Sequence, residues 1–261
     1  MPAPPHQNQL QKILKSAQWI DLSPRIENGM PRWPTHPPVI VSQTMTHDHD
    51  GFYCQNLSMP EHAGAHVDAP YHIHKDMPDQ TIEHVPIDTL FGPCKIVHLE
   101  HLDLQAGEVA GADDVIAWEK ASGEVIEPGD IVLINFGWLK RHWRTDNQWS
   151  YYAMNQPGLT EDAADLFRSR KIRVIGSDTA ACGMALKDGK VVIDGPEPIG
   201  CWIHGTLLCE GILLVECLAN LEQLPDAAYF MALPLKTHRG SGSPIRAVGL
   251  VFQGKGDKDD D

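Results

Sequence analysis

His62-Ala-Gly-Ala-His66-Val-Asp68-Ala-Pro70-Tyr-His72 places three histidines and an aspartate within eleven residues. Each of these side chains binds transition metals or moves protons near neutral pH. All four fall on even positions. An extended chain sends alternate side chains to opposite faces, so the four share one face of a strand-like segment. A straight strand does not gather them: His62 and Asp68 would stand roughly 20 Å apart in it, whereas ligands of one ion each lie about 2.0–2.2 Å from it. The segment must curl, and Gly64 is where the backbone bends at least cost. A helix would join His62 to His66 at i and i+4, but Gly64 and Pro70 oppose a helix and Asp68 would leave its face. Pro70 fixes the exit direction and carries His72 just past the ligands. In a chain with 14 histidines, single ones are ordinary polar residues. Four metal-capable side chains of one parity around a glycine point instead to a metal site.

Outward from this stretch the chain reads as short apolar runs. Residues 39–44, 95–99, 131–136, 172–176, 212–217, 228–233 and 247–252 have strand length and apolar content. Two windows have helical patterning. Residues 113–121 carry Val115, Ile116 and Trp118. Residues 160–170 offer Thr160 as an N-cap, Glu161 and Asp162 in the first turn, and Arg168 and Arg170 in the last, the polarity a helix dipole favours. A shorter helix with Leu10, Ile13, Leu14 and Ala17 on one face follows the loose, proline-rich residues 2–5. Residues 30–38, with four prolines, predict an irregular loop. Strands outnumber helices and are mixed with them through the chain, which gives an α/β or α+β class with a mixed sheet. No repeat or linker divides the sequence. One domain, residues 19–253, is expected between an N-terminal arm, residues 1–18, and a disordered acidic tail, residues 254–261.

The 261 residues are 42% hydrophobic and 21% charged, ordinary for a globular protein with a sizeable core. A net charge of −14 makes nucleic acid and anionic membranes poor partners. The sequence shows no basic start followed by an apolar run and no stretch of 18 apolar residues, so neither a secretion signal nor a membrane span is expected, and the reading is cytoplasmic. The six cysteines, Cys54, Cys94, Cys182, Cys201, Cys209 and Cys217, form no C-x-x-C pair and read as reduced, mostly buried thiols. Cys182, beside Gly183, reads as a small core residue, with pocket lining as the alternative.

A catalytic metal draws ligands from more than one segment. Glu216 lies inside a near-continuous apolar run, residues 212–218, and His204 precedes it by twelve residues. A buried carboxylate is costly unless it is paired or ligates a metal. The alternative pairs Glu216 with Arg239 or Arg246 and leaves His204 as a turn residue. Asp178 reads as a structural turn acid, with a third catalytic carboxylate as the alternative, and Arg239 and Arg246 as partners in structural ion pairs, with binding of a substrate carboxylate as the alternative. The aromatic segment 138–152 reads either as a pocket wall for a flat substrate, together with Trp33 and Phe52, or as a surface or subunit contact.

These motifs resemble the signature H-x-G-T-H-x-D-x-P-x-H of the metal-dependent cyclase-type hydrolases, a family that includes kynurenine formamidases and isatin hydrolases. Every metal and proton-transfer position matches; Ala65 stands where the family usually has threonine, so a hydroxyl is missing there. The resemblance implies that His62, His66 and Asp68 hold a divalent ion and that His72 is the catalytic acid/base. His204 and Glu216 look like the pair that completes a two-metal site in formamidases. Trp33 stands where those enzymes carry a substrate-contacting tryptophan. Residues 157–159, 174–178 and 234–247 extend the resemblance, the last looking most like isatin hydrolase, so the chain combines features of both branches. The implied fold is a single α/β domain of the swivelling β/β/α kind with a mixed sheet. The implied assembly is a homodimer or higher homo-oligomer.

Imidazole and carboxylate ligands without thiolate suit Zn²⁺ or Mn²⁺, one ion or two per subunit. Such an ion makes water nucleophilic at neutral pH and polarises a carbonyl, while His72 moves the proton to the leaving nitrogen. The expected activity is hydrolysis of a carbon–nitrogen bond in a small cyclic or N-formyl amide. Lactone hydrolysis or a dehydrating cyclisation on the same site is the alternative. A non-haem iron oxygenase built on His66, Asp68 and His204, or a catalytically dead metal-binding scaffold, stands further off. The first leaves His62 and Glu216 surplus, and the second gives His72 no task.

Overall fold

The computed structural model describes residues 5–183, 186–187, 190–191 and 202–252. The expectations for residues 2–4, for Cys201 and for the tail 254–261 lie outside the described residues. Apart from four two-residue strands, the strands among the described residues are β1 (Ala17–Asp21), β2 (Ile40–Met45), β3 (Cys54–Ser58), β4 (His66–Asp68), β5 (Phe91–His98), β6 (Ile131–Asn135), β7 (Val174–Ser177), β8 (Leu213–Glu216), β9 (Ala227–Met231), β10 (Gly242–Pro244) and β11 (Val248–Phe252). Besides the short turn of helix His47–Asp50, the α-helices among the described residues are α1 (Pro5–Ser16), α2 (Ala112–Ser122), α3 (Trp138–His142), α4 (Tyr151–Met154), α5 (Glu161–Ser169) and α6 (Trp202–Leu208). The two together make an α/β fold.

Nine strands form one mixed sheet in the order β1-β11-β9-β5-β6-β7-β8-β4-β10. Its centre, β5 to β8, is parallel, and both flanks are antiparallel. The central strands are buried on both faces, which is why they read as unbroken apolar runs. Alternation along them feeds two cores. Val132, Ile134, Ile175 and Leu214 face one core with Val115, Trp118, Phe167, Ile203 and Leu207 from the helices. Ile131, Leu133, Val174 and Val215 face the other, closed by Val67, Leu90, Phe230 and Leu250. β2 and β3 pair only with each other, as a hairpin whose residues are almost all exposed.

Each of the seven expected strands is present within a few residues of its expected limits, and so are the helices expected at 113–121 and 160–170. Thr160 occupies the N-cap position, but its hydroxyl turns to the Ala110 carbonyl and the Asp162 carboxylate and does not cap the helix. Pairing of residues 109–110 with 158–159 brings Ala110 within its reach. Arg170 does more than complement the dipole: it grips Glu119 of α2 with both terminal nitrogens.

Candidate active site

β4 lies between β8 and β10, and its register gathers the acids. Glu216 is directly opposite His66, and Asp68 is two residues further along β4. Side chains opposite one another, and two apart, share a sheet face. His66, Asp68 and Glu216 therefore emerge together on the face that carries the helices, each at most 3% exposed. α6 packs on that face. His204 stands three and four residues before the buried Leu207 and Leu208, so the helix side that enters the core also carries His204 inward.

The distances are short and repeated. His66 Nε2 is 3.4 Å from Asp68 Oδ1 and 3.3 Å from Glu216 Oε2. His204 Nε2 is 3.4 Å from Asp68 Oδ2 and 3.0 Å from Glu216 Oε1. Each carboxylate thus turns one oxygen toward His66 and the other toward His204. His62 Nδ1 meets Asp68 Oδ1 at 2.6 Å. Gly64 makes this possible: at φ +66° it occupies the left-handed region that glycine enters freely, and it curls the segment so that His62 returns to Asp68. The Gly64 carbonyl accepts the His66 Nδ1 proton at 2.9 Å, which leaves Nε2 turned toward the two carboxylates. His72 ends the turn Pro70–His72, which opens with proline at its first position. Its ring lies over His62, centroids 3.8 Å apart, and 6.0 Å from the His204 ring.

The electrostatics fit a cation. Burial pushes the Asp68 carboxyl up, but His62, His72 and His66 hold it well below the usual range. Burial and Asp68 push Glu216 up, and His204 and His66 bring it below its ordinary value. His72 moves the other way: burial outweighs Asp68 and lowers its imidazole to about 4, so the ring is neutral at pH 7. Asp68 Oδ2 and Glu216 Oε1 are buried and take no hydrogen bond of good geometry. Buried acceptors of this kind are costly unless a cation or donor satisfies them. Neighbouring ligand atoms 3.0–3.4 Å apart are spaced as two ligands of one ion with bonds of about 2.0–2.2 Å. The donor set fits Zn²⁺ or Mn²⁺.

The family description "Putative cyclase" matches residues 20–183. The chain belongs to this cyclase family. It is 30% identical over 226 residues to isatin hydrolase of Roseibium aggregatum, covering 82% of each chain. It is 24% identical over 243 residues to a kynurenine formamidase of Bacillus mycoides, covering 90% of this chain and 98% of the relative. The solved structure of isatin hydrolase A from Labrenzia aggregata bound to benzyl benzoate superposes with a TM-score of 0.81 at 27% identity, covering 95% of this chain and 100% of that one. The cyclase-family sheet is thus the sheet described above, and the chain is an enzyme of this hydrolase class, an amidohydrolase.

Within this cyclase-family chain the expected site residues fall into two groups. His62, His66, Asp68, His72, His204 and Glu216 converge. Neither arginine reaches Glu216: Arg246 pairs with Asp21 at 2.6 Å, and Arg239 donates its backbone N–H to Glu83. His204 lies on a helix and not in a turn. Trp33 is partly buried against the helical core with Trp143. Phe52 projects from the β2–β3 hairpin, 54% exposed, and no ring contact among the described residues joins it to the cluster. The aromatic segment is divided: Trp138 and Tyr152 are buried, Trp143 and Trp149 half-buried, and Tyr151 exposed. Trp138 is buried and its indole donates to the Tyr152 carbonyl, Tyr152 donates its hydroxyl to the Asp178 carbonyl, and Trp149 lies under the Arg32 guanidinium. Asp178 is the structural acid expected. Its carboxylate accepts from Phe136, Trp138 and Leu139 N–H and fixes the start of α3, while burial pushes its pKa up to about 7 against those donors. Cys94, Cys182 and Cys217 are buried, and Cys54 and Cys209 are exposed. Two groups escaped the sequence reading: Ser241, which meets His62 Nε2, and Glu61, which accepts from Ser241 behind it.

Proposed function

We propose that this chain hydrolyses the carbon–nitrogen bond of a small cyclic or N-formyl amide with the help of Zn²⁺ or Mn²⁺. One observation carries the reading: Asp68 and Glu216 each present one oxygen toward His66 and the other toward His204, with His72 stacked at the edge of the cluster. His62, His66 and Asp68 would hold a first ion, and His204, Glu216 and Asp68 a second. A bound ion supplies a water nucleophile at neutral pH and polarises the amide carbonyl. The protein's own residues do the rest. His72, neutral because it is buried, accepts a proton from the attacking water at a ring nitrogen and returns it to the leaving nitrogen. That return matters because an amide anion is a very poor leaving group. Trp33, half-buried against the helical core, would supply an apolar surface suited to an aromatic ring. The two named relatives act on aryl amides by their names, a cyclic one and a formylated one, and both substrate types fit this chemistry.

A second reading follows from distance: a ring nitrogen of His72 lies within 4.8 Å of ligand atoms of His62 and Asp68, close enough for His72 to serve as a ligand. Against an iron triad of His66, Asp68 and His204 stands Glu216, which touches both histidines and which such a triad does not use. The test is elemental analysis of protein purified without chelator, with turnover of an N-formyl arylamine and of isatin under nitrogen. Two equivalents of zinc or manganese, falling in Glu216→Ala, with oxygen-independent hydrolysis of either substrate, is the expected result. Iron as the dominant metal, or turnover that survives complete removal of metal, would sink the proposal.

A further inference from the structure

Ser241 Oγ donates to Glu61 Oε2 at 2.8 Å, and the Ser241 backbone N–H donates to the same oxygen at 3.0 Å. A carboxylate only accepts, so the hydroxyl proton of Ser241 is committed to Glu61. Ser241 Oγ is 2.8 Å from His62 Nε2 and has only lone pairs left to offer, so it accepts, and Nε2 carries the ring proton. In the neutral ring that a metal requires, Nδ1 is then the lone-pair nitrogen, and it faces Asp68 Oδ1 at 2.6 Å. A lone pair against a carboxylate oxygen is repulsive unless a cation lies with them.

The backbone is built around this contact. A Cβ on Gly242 would stand 2.5 Å from His62 Cε1 and 2.6 Å from the Val67 carbonyl, so the imidazole occupies space that any other residue at 242 would fill. The Ser241 carbonyl accepts from Ala69 N–H at 2.9 Å, and Gly242 pairs with Asp68 in the β4–β10 ladder. Ser241 is thereby tied in register to the strand that carries Asp68. Thr237 Oγ1 reaches the other oxygen of Glu61 at 3.4 Å.

We propose that Glu61 and Ser241 are positioning residues: they hold His62 in the tautomer with the proton on Nε2, so that Nδ1 is presented, together with Asp68, to a divalent cation. The inference rests on the metal-site reading above and extends it from the ligands to the groups that orient one of them. Partners of this kind behind a metal-ligating histidine contribute about 10–100-fold to metal affinity.

The experiment measures zinc affinity by competition with a chromophoric chelator for wild type, Ser241→Ala, Ser241→Thr and Glu61→Gln. Nitrogen-15 spectra of the histidine rings of the metal-free proteins in alkaline buffer accompany it. Ser241→Ala should bind zinc about 10–100-fold more weakly and show His62 as a mixture of tautomers. Ser241→Thr, which keeps the hydroxyl, should recover most of the affinity and the Nε2–H signal. Glu61→Gln, which leaves the backbone of β10 untouched, should weaken binding in the same direction and carries the test if Ser241→Ala does not fold. Wild-type zinc affinity and a wild-type His62 spectrum in Ser241→Ala and Glu61→Gln overturn the proposal. Neither readout uses turnover, so wild type that binds zinc yet hydrolyses no amide overturns the functional reading and leaves this one standing.

Discussion

His72 and His66 differ in what surrounds them, and the difference separates turnover from metal binding. His66 turns Nε2 between two carboxylates, whereas His72 lies tilted over His62 with its pKa lowered to about 4 by burial. His72→Ala should lower kcat by about 10²–10⁴-fold, the usual contribution of a positioned acid/base, with metal content unchanged. His66→Ala should lose both. Metal analysis beside kinetics checks the pair, and loss of an ion in His72→Ala would make His72 a ligand. Asp178 works through structure alone. Asp178→Asn turns an amide NH₂ toward at least one of three backbone N–H donors, so urea denaturation should show a loss of about 1–3 kcal/mol at unchanged metal affinity. At this scale the sequence was informative wherever chemistry is local. The parity of His66 and Asp68, the bend at Gly64 and the acid stranded in an apolar run at Glu216 are all visible in one dimension. Ser241 and Glu61 were not, because a serine between glycines and a glutamate beside a histidine have no pattern of their own. Their meaning arises from a contact across 180 residues.

Between elements, α2 and α5 are joined by Glu119 and Arg170, side chains 11% and 23% exposed, through a two-pronged contact that also takes in the Ile126 carbonyl. Burial pushes Glu119 up, but Arg170 and the Ile126 N–H outweigh it and hold its pKa below the ordinary value. A folded-state pKa below the unfolded one means the unfolded chain binds more protons at acid pH. The pair's contribution is therefore complete above about pH 4.3, the unfolded value, and is lost as pH falls through the folded one. Arg170→Ala should cost about 1 kcal/mol at pH 7 and less at pH 3, so that its denaturation midpoint converges on wild type as the buffer is acidified. A constant difference across that range would assign the loss to packing. Strands of the parallel centre were legible because burial on both faces leaves them apolar throughout. β1 and β3 were not: β1 is an edge strand with Trp19 exposed, and all five residues of β3 are exposed, so no face carries an apolar signature. α6 escaped because its seven residues span only two turns and carry Gly205, a poor helix former, in their middle.

Over the whole molecule, the antiparallel flank β8-β4-β10 brings His66, Asp68, Glu216 and Ser241 side by side although they are scattered from the first quarter of the chain to its end. Sequence shows the strands and not their order, so the pairing of β4 with β8, on which the cluster depends, was not legible; Glu216 was joined to the motif only by the cost of a buried acid and by family resemblance. An ion held by β4, β8 and α6 would tie three elements that are remote in sequence, and it binds the folded chain only, because the unfolded chain has no assembled site. Zinc or manganese at about a hundred times its dissociation constant should then stabilise the protein by about 2.7 kcal/mol, a rise in melting temperature of about 5–10 °C for a chain of this size. Glu216→Ala should lose most of that rise, since it removes an oxygen facing each histidine. Because the imidazoles must be deprotonated to ligate, the rise should also shrink as pH falls from 7 to 5. Melting curves with and without metal at the two pH values measure all three effects. A melting temperature indifferent to metal in wild type would show that the cluster is satisfied by its own protons, with His66, whose pKa Asp68, Cys217 and Glu216 raise well above normal against burial, acting as the cation between the two acids.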